Sequence, residues 1–286
     1  MPELPEVETL KRELAVALAG KVIKSVKIFS PETITPLTAA VFNRRLKGQR
    51  IESVARRAKI LFFNLFGGET LAVHLKLTGQ LIFMPHHQQG STLRVLKVEP
   101  FKFFKYTRAI LNFTDGSQLY FNDLRKFGWL RLLSAKHKQE LNERHGLEPL
   151  ASDFTLKNFT TQLLHYPNRR LKQTLLDQTL VAGLGNIYTD ESCFASRVRP
   201  TRQIKTLTPG EIKKLYSSIK KILRLAIKKG GTSAKDYVRS DGTAGDFVPH
   251  LKVYGRGQLS CKNCGMTIVK IKLAGRGTHF CPKCQK

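Results

Sequence analysis

The apolar residues of this chain change their spacing near residue 133, and that change limits the possible folds more tightly than any other feature. From Val22 to about Leu133 they come in short runs, "VIKSVKIF", "RIESVARRAKILFFNLF", "TLAVHLKL", "QLIFM", "RAILNFT" and "SQLYFND", separated by Gly67-Gly68, Thr78-Gly79 and Asp115-Gly116. Alternating runs between turn-forming pairs are strands, because successive side chains leave opposite faces of a sheet. Asp115-Gly116 marks the clearest hairpin, with Leu111 and Phe113 before it and Leu119 and Phe121 after it at period two. So many strands predict a sandwich or barrel with little helix. One amphipathic helix precedes them, starting near Pro5, lined by Val7, Leu10, Leu14 and Leu18 and stopped by Gly20.

A polar stretch, Ser134 to Asp153, separates this region from one with helical spacing. Its segments are "TLKNFTTQLLH", "RRLKQTLLDQ", "NIYTDESCFAS" and "TPGEIKKLYSSIKKILRLAIKKG". The last aligns Ile212, Leu215, Ile219, Leu223 and Ile227 on one face, with Thr208-Pro209 to start it and Gly230 to end it. The Gly-rich, polar "GGTSAKDYVRSDGTAGDF" then predicts a long mobile loop before a short cysteine-bearing module. The chain divides into 1–134, a linker at 135–153, a helical region at 154–229, the loop at 230–247 and a terminal module at 248–286.

Lysine and arginine number 49 against 21 acids, a net charge of +28 that runs from Arg12 to Lys286 rather than sitting in a tail. Such an extended basic surface points to a polyanion, with DNA or RNA first. An anionic membrane is disfavoured: no apolar run approaches the length of a membrane span, and no basic stretch has a wide aromatic face. The acidic N-terminus is no secretory signal. A cytoplasmic protein is expected, whose five cysteines are reduced or metal-bound.

Cys261, Cys264, Cys281 and Cys284 form a C-x2-C-x16-C-x2-C pattern, the spacing of a structural four-thiolate zinc site; an iron–sulfur or redox site is the alternative. Four protein ligands close the metal to substrate, so it would hold structure only. Cys193 is left over as a small core residue. Between the cysteine pairs "IVKIKLAGRGTHF" predicts a hairpin with Arg276 at its tip, where flanking glycines would permit a phosphate backbone to approach.

The start "PELPEVE", the middle "LLDQTLVAGLGNIYTDE" and the end "HLKVYGRG" with "AGRGTHFCPKCQ" together resemble the formamidopyrimidine-DNA glycosylase family of bacterial base-excision repair enzymes. The likeness runs from Pro2 to Gln285. It implies an α+β multidomain fold: an N-terminal β-sandwich flanked by helices, then a helix-two-turn-helix domain with a four-cysteine zinc finger. It also implies a DNA glycosylase and abasic-site lyase that excises oxidised purines, 8-oxoguanine and formamidopyrimidines. The partner would be double-stranded DNA with an oxidised or abasic site, in a basic cleft between two domains. One structural zinc would be the cofactor, the protein a nucleoid-associated monomer.

The chemistry of the first residues agrees with this. With Met1 removed, Pro2 offers a free secondary amine, partly neutral near physiological pH and pushed further that way by a nearby helix N-terminus. A secondary amine condensing with a sugar aldehyde yields only a cationic iminium, an electron sink that acidifies the adjacent carbon. Glu3 offers a carboxyl as acid and proton shuttle; Glu6 would support it. Taken alone, Glu3, Glu6 and Glu8 would simply complement a helix dipole.

The resemblance further implies that Lys59, His74, Tyr254, Asn186 and Arg276 contact phosphates, Lys59 and Arg276 within the catalytic set, and that Lys172 lies near the damaged base. Asn186 follows Gly183-Leu184-Gly185 and opens a helix, whose N–H groups suit an anion. A base must leave the stack before its bond is reached, and something must fill the gap. The family fills it with Met, Arg and Phe. Here Arg125 and Phe127 stand in "NDLRKFG", Leu77 takes the methionine position, and Leu124 and Lys126 replace the common proline and arginine. The loop 230–247 resembles the one that covers the everted base. Two rivals remain: an endonuclease VIII-like enzyme for oxidised pyrimidines, and a non-catalytic zinc-ribbon nucleic-acid-binding protein.

Overall fold

The computed structural model describes residues 1–86 and 105–286. They form two units: 1–142 with 229–246, and 143–228 with 247–286.

In the first unit, α1 (Leu4–Leu18) leads into β1 (Ile23–Ile28), a short α2 (Ala39–Leu46), then β2 (Ile51–Arg57), β3 (Ile60–Leu65), β4 (Thr70–His74), β5 (Gly79–Met84), β6 (Thr107–Phe113), β7 (Gln118–Asp123), β8 (Trp129–Leu133) and α3 (Ala135–Glu143). The strands make two antiparallel four-stranded sheets, ordered β1-β6-β7-β5 and β2-β3-β4-β8. Val26, Leu81, Leu111, Leu119 and Phe121 of the first share one core with Val54, Leu61, Phe63, Leu71, Val73 and Leu130 of the second, joined by Val7, Leu10, Leu14 and Leu18 of α1. This is a sandwich: inward residues alternate with outward ones along each strand, and α1 contributes the apolar stripe its spacing predicts. At Asp115-Gly116 the register pairs Leu111 with Leu119, as the period-two pattern requires.

Two helices depart from the sequence expectation of little helix. α2 is eight residues long and buries only Phe42 and Leu46, too few for periodicity to register; the Thr38 hydroxyl caps it by accepting the Val41 N–H. α3 lies in the stretch assigned to a linker, and its Leu141 packs on Ile60, Phe62 and Ala72, the outer face of the second sheet. Its polar residues hide one apolar contact that only the sheet supplies.

The second unit holds α4 (Leu156–Leu164), α5 (Leu171–Leu176), α6 (Asn186–Ser196), α7 (Pro209–Lys228) and the hairpin β9 (Val269–Leu273) with β10 (Arg276–Phe280). α7 buries Ile212, Leu215, Ile219 and Leu223, and Thr208 and Glu211 close a capping box at its start: the Glu211 N–H donates to Thr208 Oγ1 and the Thr208 N–H to Glu211 Oε2. α6 buries residues all round, including Asp190 and Glu191. Among the described residues no helix is long and apolar enough to cross a membrane.

Candidate active site and nucleic-acid interface

At the head of α1, Pro2 is buried, and Glu3 and Glu6 form a reciprocal capping box, Glu6 Oε2 accepting the Glu3 N–H at 2.8 Å. The acids therefore do serve the helix N-terminus. They are nevertheless 1% exposed, an unusual depth for carboxylates whose sole task is to cap. Glu6 Oε1 also accepts the Thr232 N–H at 2.8 Å, so this turn touches the glycine-rich loop. Gly231 is obligatory there: φ is +86°, and a Cβ would meet Tyr237 at 2.9 Å and Glu6 at 3.0 Å. The loop that the composition marks as mobile thus follows a defined path, because its partners lie far away in sequence.

Lys59 is not a strand residue but the second residue of the tight turn between β2 and β3, after Ala58 at φ +51°. It is buried. Arg56 braces the turn, its Nη1 donating to the Ala58 carbonyl at 2.8 Å and its Nε to Glu8 at 2.9 Å. Glu8 also accepts from Arg12 at 2.8 Å.

His74 ends β4; its Nδ1 accepts the Lys76 N–H at 2.9 Å and its ring lies 5.7 Å from that of Trp129. Leu77 sits half-buried in the next turn, while Arg125 and Phe127 are exposed, the guanidinium 4.9 Å from the ring centre. One buried carboxylate organises both loops. Asp123 Oδ1 accepts the Thr78 hydroxyl and the Arg125 N–H, and Oδ2 accepts the Gly128 N–H at 2.7 Å. Lys76 and Lys126 hold φ of +51° and +57° beside these residues. Non-glycine residues in this region carry strain, which concentrates where loop shape matters. Asp123, Thr78 and Arg56 are absent from the sequence-derived set; a carboxylate at a strand end ahead of a loop was the only local cue.

In the second unit Lys172 is 1% exposed, its Nζ donating to Asp190 at 2.6 Å and to the Gly277 carbonyl at 2.8 Å. Asn186 Nδ2 donates to the same carbonyl at 2.9 Å. Asp190 also accepts the His279 N–H at 2.9 Å. Helices α5 and α6 are thereby bound to β10 beside Arg276, which is exposed at the start of that strand rather than at the hairpin tip. The tip is Ala274-Gly275, at φ +46° and +75°. Arg169, Lys172, Gln173 and Arg276 line a concavity together with Asp177, which pairs with Arg169 at 3.1 Å. Glu191 accepts the N–H groups of Lys252, Val253 and Tyr254, holding Tyr254 with its ring 5.3 Å from that of His279. Burial pushes the Glu191 carboxyl up, against the pull of those three amides.

The four cysteine sulfurs lie within 4.8 Å of one another, with Cys261 and Cys284 3.9 Å apart and Cys264 and Cys281 3.5 Å apart. A tetrahedral zinc about 2.3 Å from each thiolate spaces them about 3.8 Å apart, so this set fits one zinc ion. The Asn263 N–H donates to Cys261 Sγ and the Cys284 N–H to Cys281 Sγ, both at 3.4 Å, which further suits thiolates.

Pro2, Glu3, Glu6, Lys59, His74, Leu77, Arg125 and Phe127 belong to the first unit; Lys172, Asn186, Tyr254, Arg276 and the four cysteines belong to the second.

Three family profiles match the chain: the formamidopyrimidine-DNA glycosylase N-terminal domain at residues 1–130, the formamidopyrimidine-DNA glycosylase H2TH domain at 145–238, and the zinc finger found in FPG and IleRS at 260–286. A formamidopyrimidine-DNA glycosylase of Heliobacterium modesticaldum is 41% identical over 288 residues, covering all of both chains. A mutant of the Lactococcus lactis protein, crystallised with DNA containing Fapy-dG, superposes with a TM-score of 0.87 at 35% identity over all of both chains. The wild-type Lactococcus lactis protein, crystallised with oxidised-pyrimidine DNA, does so with a TM-score of 0.86, again at 35% identity over all of both chains.

Proposed function

We propose that this chain, which belongs to the formamidopyrimidine-DNA glycosylase family, is a base-excision repair glycosylase and abasic-site lyase acting through the amine of Pro2. The observation that carries the reading is the head of α1, where a proline able to present a secondary amine stands beside two buried carboxylates. Once Met1 is removed, the Pro2 nitrogen attacks C1′ of the lesion nucleotide, the bond from C1′ to the base breaks, and the base leaves with the proton that the amine gives up. Glu3 protonates the ring oxygen, the sugar opens and the C1′ iminium forms. The iminium acidifies C2′; loss of that proton expels the 3′ phosphate, and a second elimination expels the 5′ phosphate. Hydrolysis of the iminium returns the free amine.

Lys59, His74, Asn186, Tyr254 and Arg276 each hold a phosphate of the bound DNA, Lys59 and Arg276 as part of the catalytic set. Phe127 and Arg125, with Leu77, fill the gap left by the everted nucleotide; leucine retains apolar bulk for this wedge. Lys172 bears on DNA through the hairpin it holds, since its ammonium donates to Asp190 and to the Gly277 carbonyl. Zinc bound by Cys261, Cys264, Cys281 and Cys284 cross-links that hairpin. The substrates are DNA duplexes with 8-oxoguanine, formamidopyrimidine or abasic sites, in the bacterial cytoplasm. The Lactococcus lactis complex with oxidised-pyrimidine DNA favours pyrimidine lesions as a second substrate class, which excision rates on matched duplexes would rank.

Borohydride trapping on a duplex with 8-oxoguanine opposite cytosine tests the reading. Wild type should yield an adduct mapped to Pro2, Pro2→Gly should yield far less, and Glu3→Gln should lose excision. Binding without an adduct, even on a ready-made abasic site, would overturn it in favour of a non-catalytic DNA-binding protein.

A further inference from the structure

We propose that Glu13 is a positioning residue for excision, holding the loop 230–247 against the helix that carries Pro2. The inference rests on that loop covering the everted base. Glu13 and Glu6 are seven residues apart on α1, close to two turns, so both point to one side of the helix. Glu6 pins one limb of the loop at Thr232. Glu13 pins the other at two consecutive residues: Oε1 accepts Arg239 Nε at 2.7 Å, and Oε2 accepts the Ser240 N–H at 2.9 Å and the Ser240 hydroxyl at 2.8 Å.

A half-buried, solvent-reached ion pair to Arg239 alone would be worth little. The same carboxylate, however, takes a backbone N–H and a hydroxyl from the next residue, a charge-assisted, multidentate contact that fixes direction as well as distance. Ser240 is held from the other side as well, its carbonyl accepting the Phe83 N–H of β5 at 2.7 Å. Arg239 N–H donates to the Thr243 carbonyl at 2.8 Å, and Asp241 Oδ1 accepts the Thr243 N–H at 2.9 Å, so 239–243 is a closed turn whose root is Glu13. Between the limbs, Tyr237 is sunk in the sandwich core and Gln80 Nε2 donates to the Asp236 carbonyl at 2.5 Å. Ser233 to Lys235 form the stretch between these pins. Nucleophile and base cover therefore hang from one helix, and Glu13 sets the register between them.

An abasic site has no base to cover, which separates this role from a general one. Single-turnover excision of 8-oxoguanine and cleavage of a ready-made abasic site are measured on the same duplex. Glu13→Ala should slow excision at least about tenfold and abasic cleavage less than about twofold, the pattern of a misplaced binding element. Glu13→Gln, which retains an acceptor oxygen, should fall between wild type and Glu13→Ala. Arg239→Ala should lower excision in the same direction and add little on top of Glu13→Ala. A parallel loss of both activities, or unchanged excision, overturns the proposal. Hydrogen exchange on DNA-free protein reads the contact without any activity: the Ser240 amide should exchange faster in Glu13→Ala. If wild type excises no 8-oxoguanine, the glycosylase reading has failed; if the Ser240 amide is unaffected, the Glu13 contact itself has failed.

Discussion

Asp190 shows how much one buried side chain can organise. It is fully buried, accepts from Lys172 and His279, and through them fixes the strand that begins with Arg276. A buried ion pair adds little net stability, yet deleting one partner strands the other charge. Asp190→Ala should cost about 3–5 kcal/mol in urea unfolding of the second unit, because the Lys172 ammonium loses its counter-ion. Glu8 makes an opposite case, set by charge rather than depth. Burial would raise its carboxyl, but hydrogen bonds from Arg56 and Arg12 outweigh this and hold it below its ordinary 4.5. Below that value the unfolded chain binds the proton more readily than the folded one. The stabilisation is therefore complete above about pH 4.5 and is lost as pH falls through the folded value. Glu8→Gln should be less stable than wild type at neutral pH, and the two should converge as acid is added, in a series of unfolding curves from pH 7 to pH 3.

The β9–β10 hairpin carries its own test at the scale of the element. Its two-residue tip needs positive φ at both positions, which Gly275 supplies freely and Ala274 does not. Ala274→Asn, giving Asn-Gly, should stabilise the zinc module by about 1 kcal/mol, read from its chelator-induced unfolding. Removing zinc should act more severely. Among the described residues the module brings Val253, Ile268 and its four cysteines to one small cluster, packed on Phe194 of α6, too little to hold a fold without the metal. Chelation should unfold the hairpin and abolish lesion binding while leaving the sandwich signals in an NMR spectrum unchanged.

Across the whole molecule the dominant quantity is the net charge of +28. Neutralising phosphates releases counterions, so affinity for DNA should fall steeply with salt. Arg276→Ala should weaken binding to lesion-bearing and undamaged duplex alike and reduce the slope of log K against log salt by about one, as loss of a single phosphate contact requires. A variant that lost affinity with an unchanged slope would show that Arg276 does not meet a phosphate.

Local signals in the sequence determined the sandwich strands, the caps of α7, the four-thiolate set and, through motifs spread from Pro2 to Gln285, the family. Those signals are legible because each depends on neighbours within a turn or a hairpin, where period and spacing are set by backbone geometry. The tertiary structure decided the rest. The family resemblance sets Lys172 near the damaged base, but only the fold brings it to Asp190 and Gly277. The loop 230–247 reads as open and glycine-rich, yet Ser240 meets Glu13 across 227 residues of chain. α3 looks like a linker until the second sheet covers Leu141. Each is a contact between residues remote in sequence, which no local pattern encodes, because the partner exists only after the core has closed.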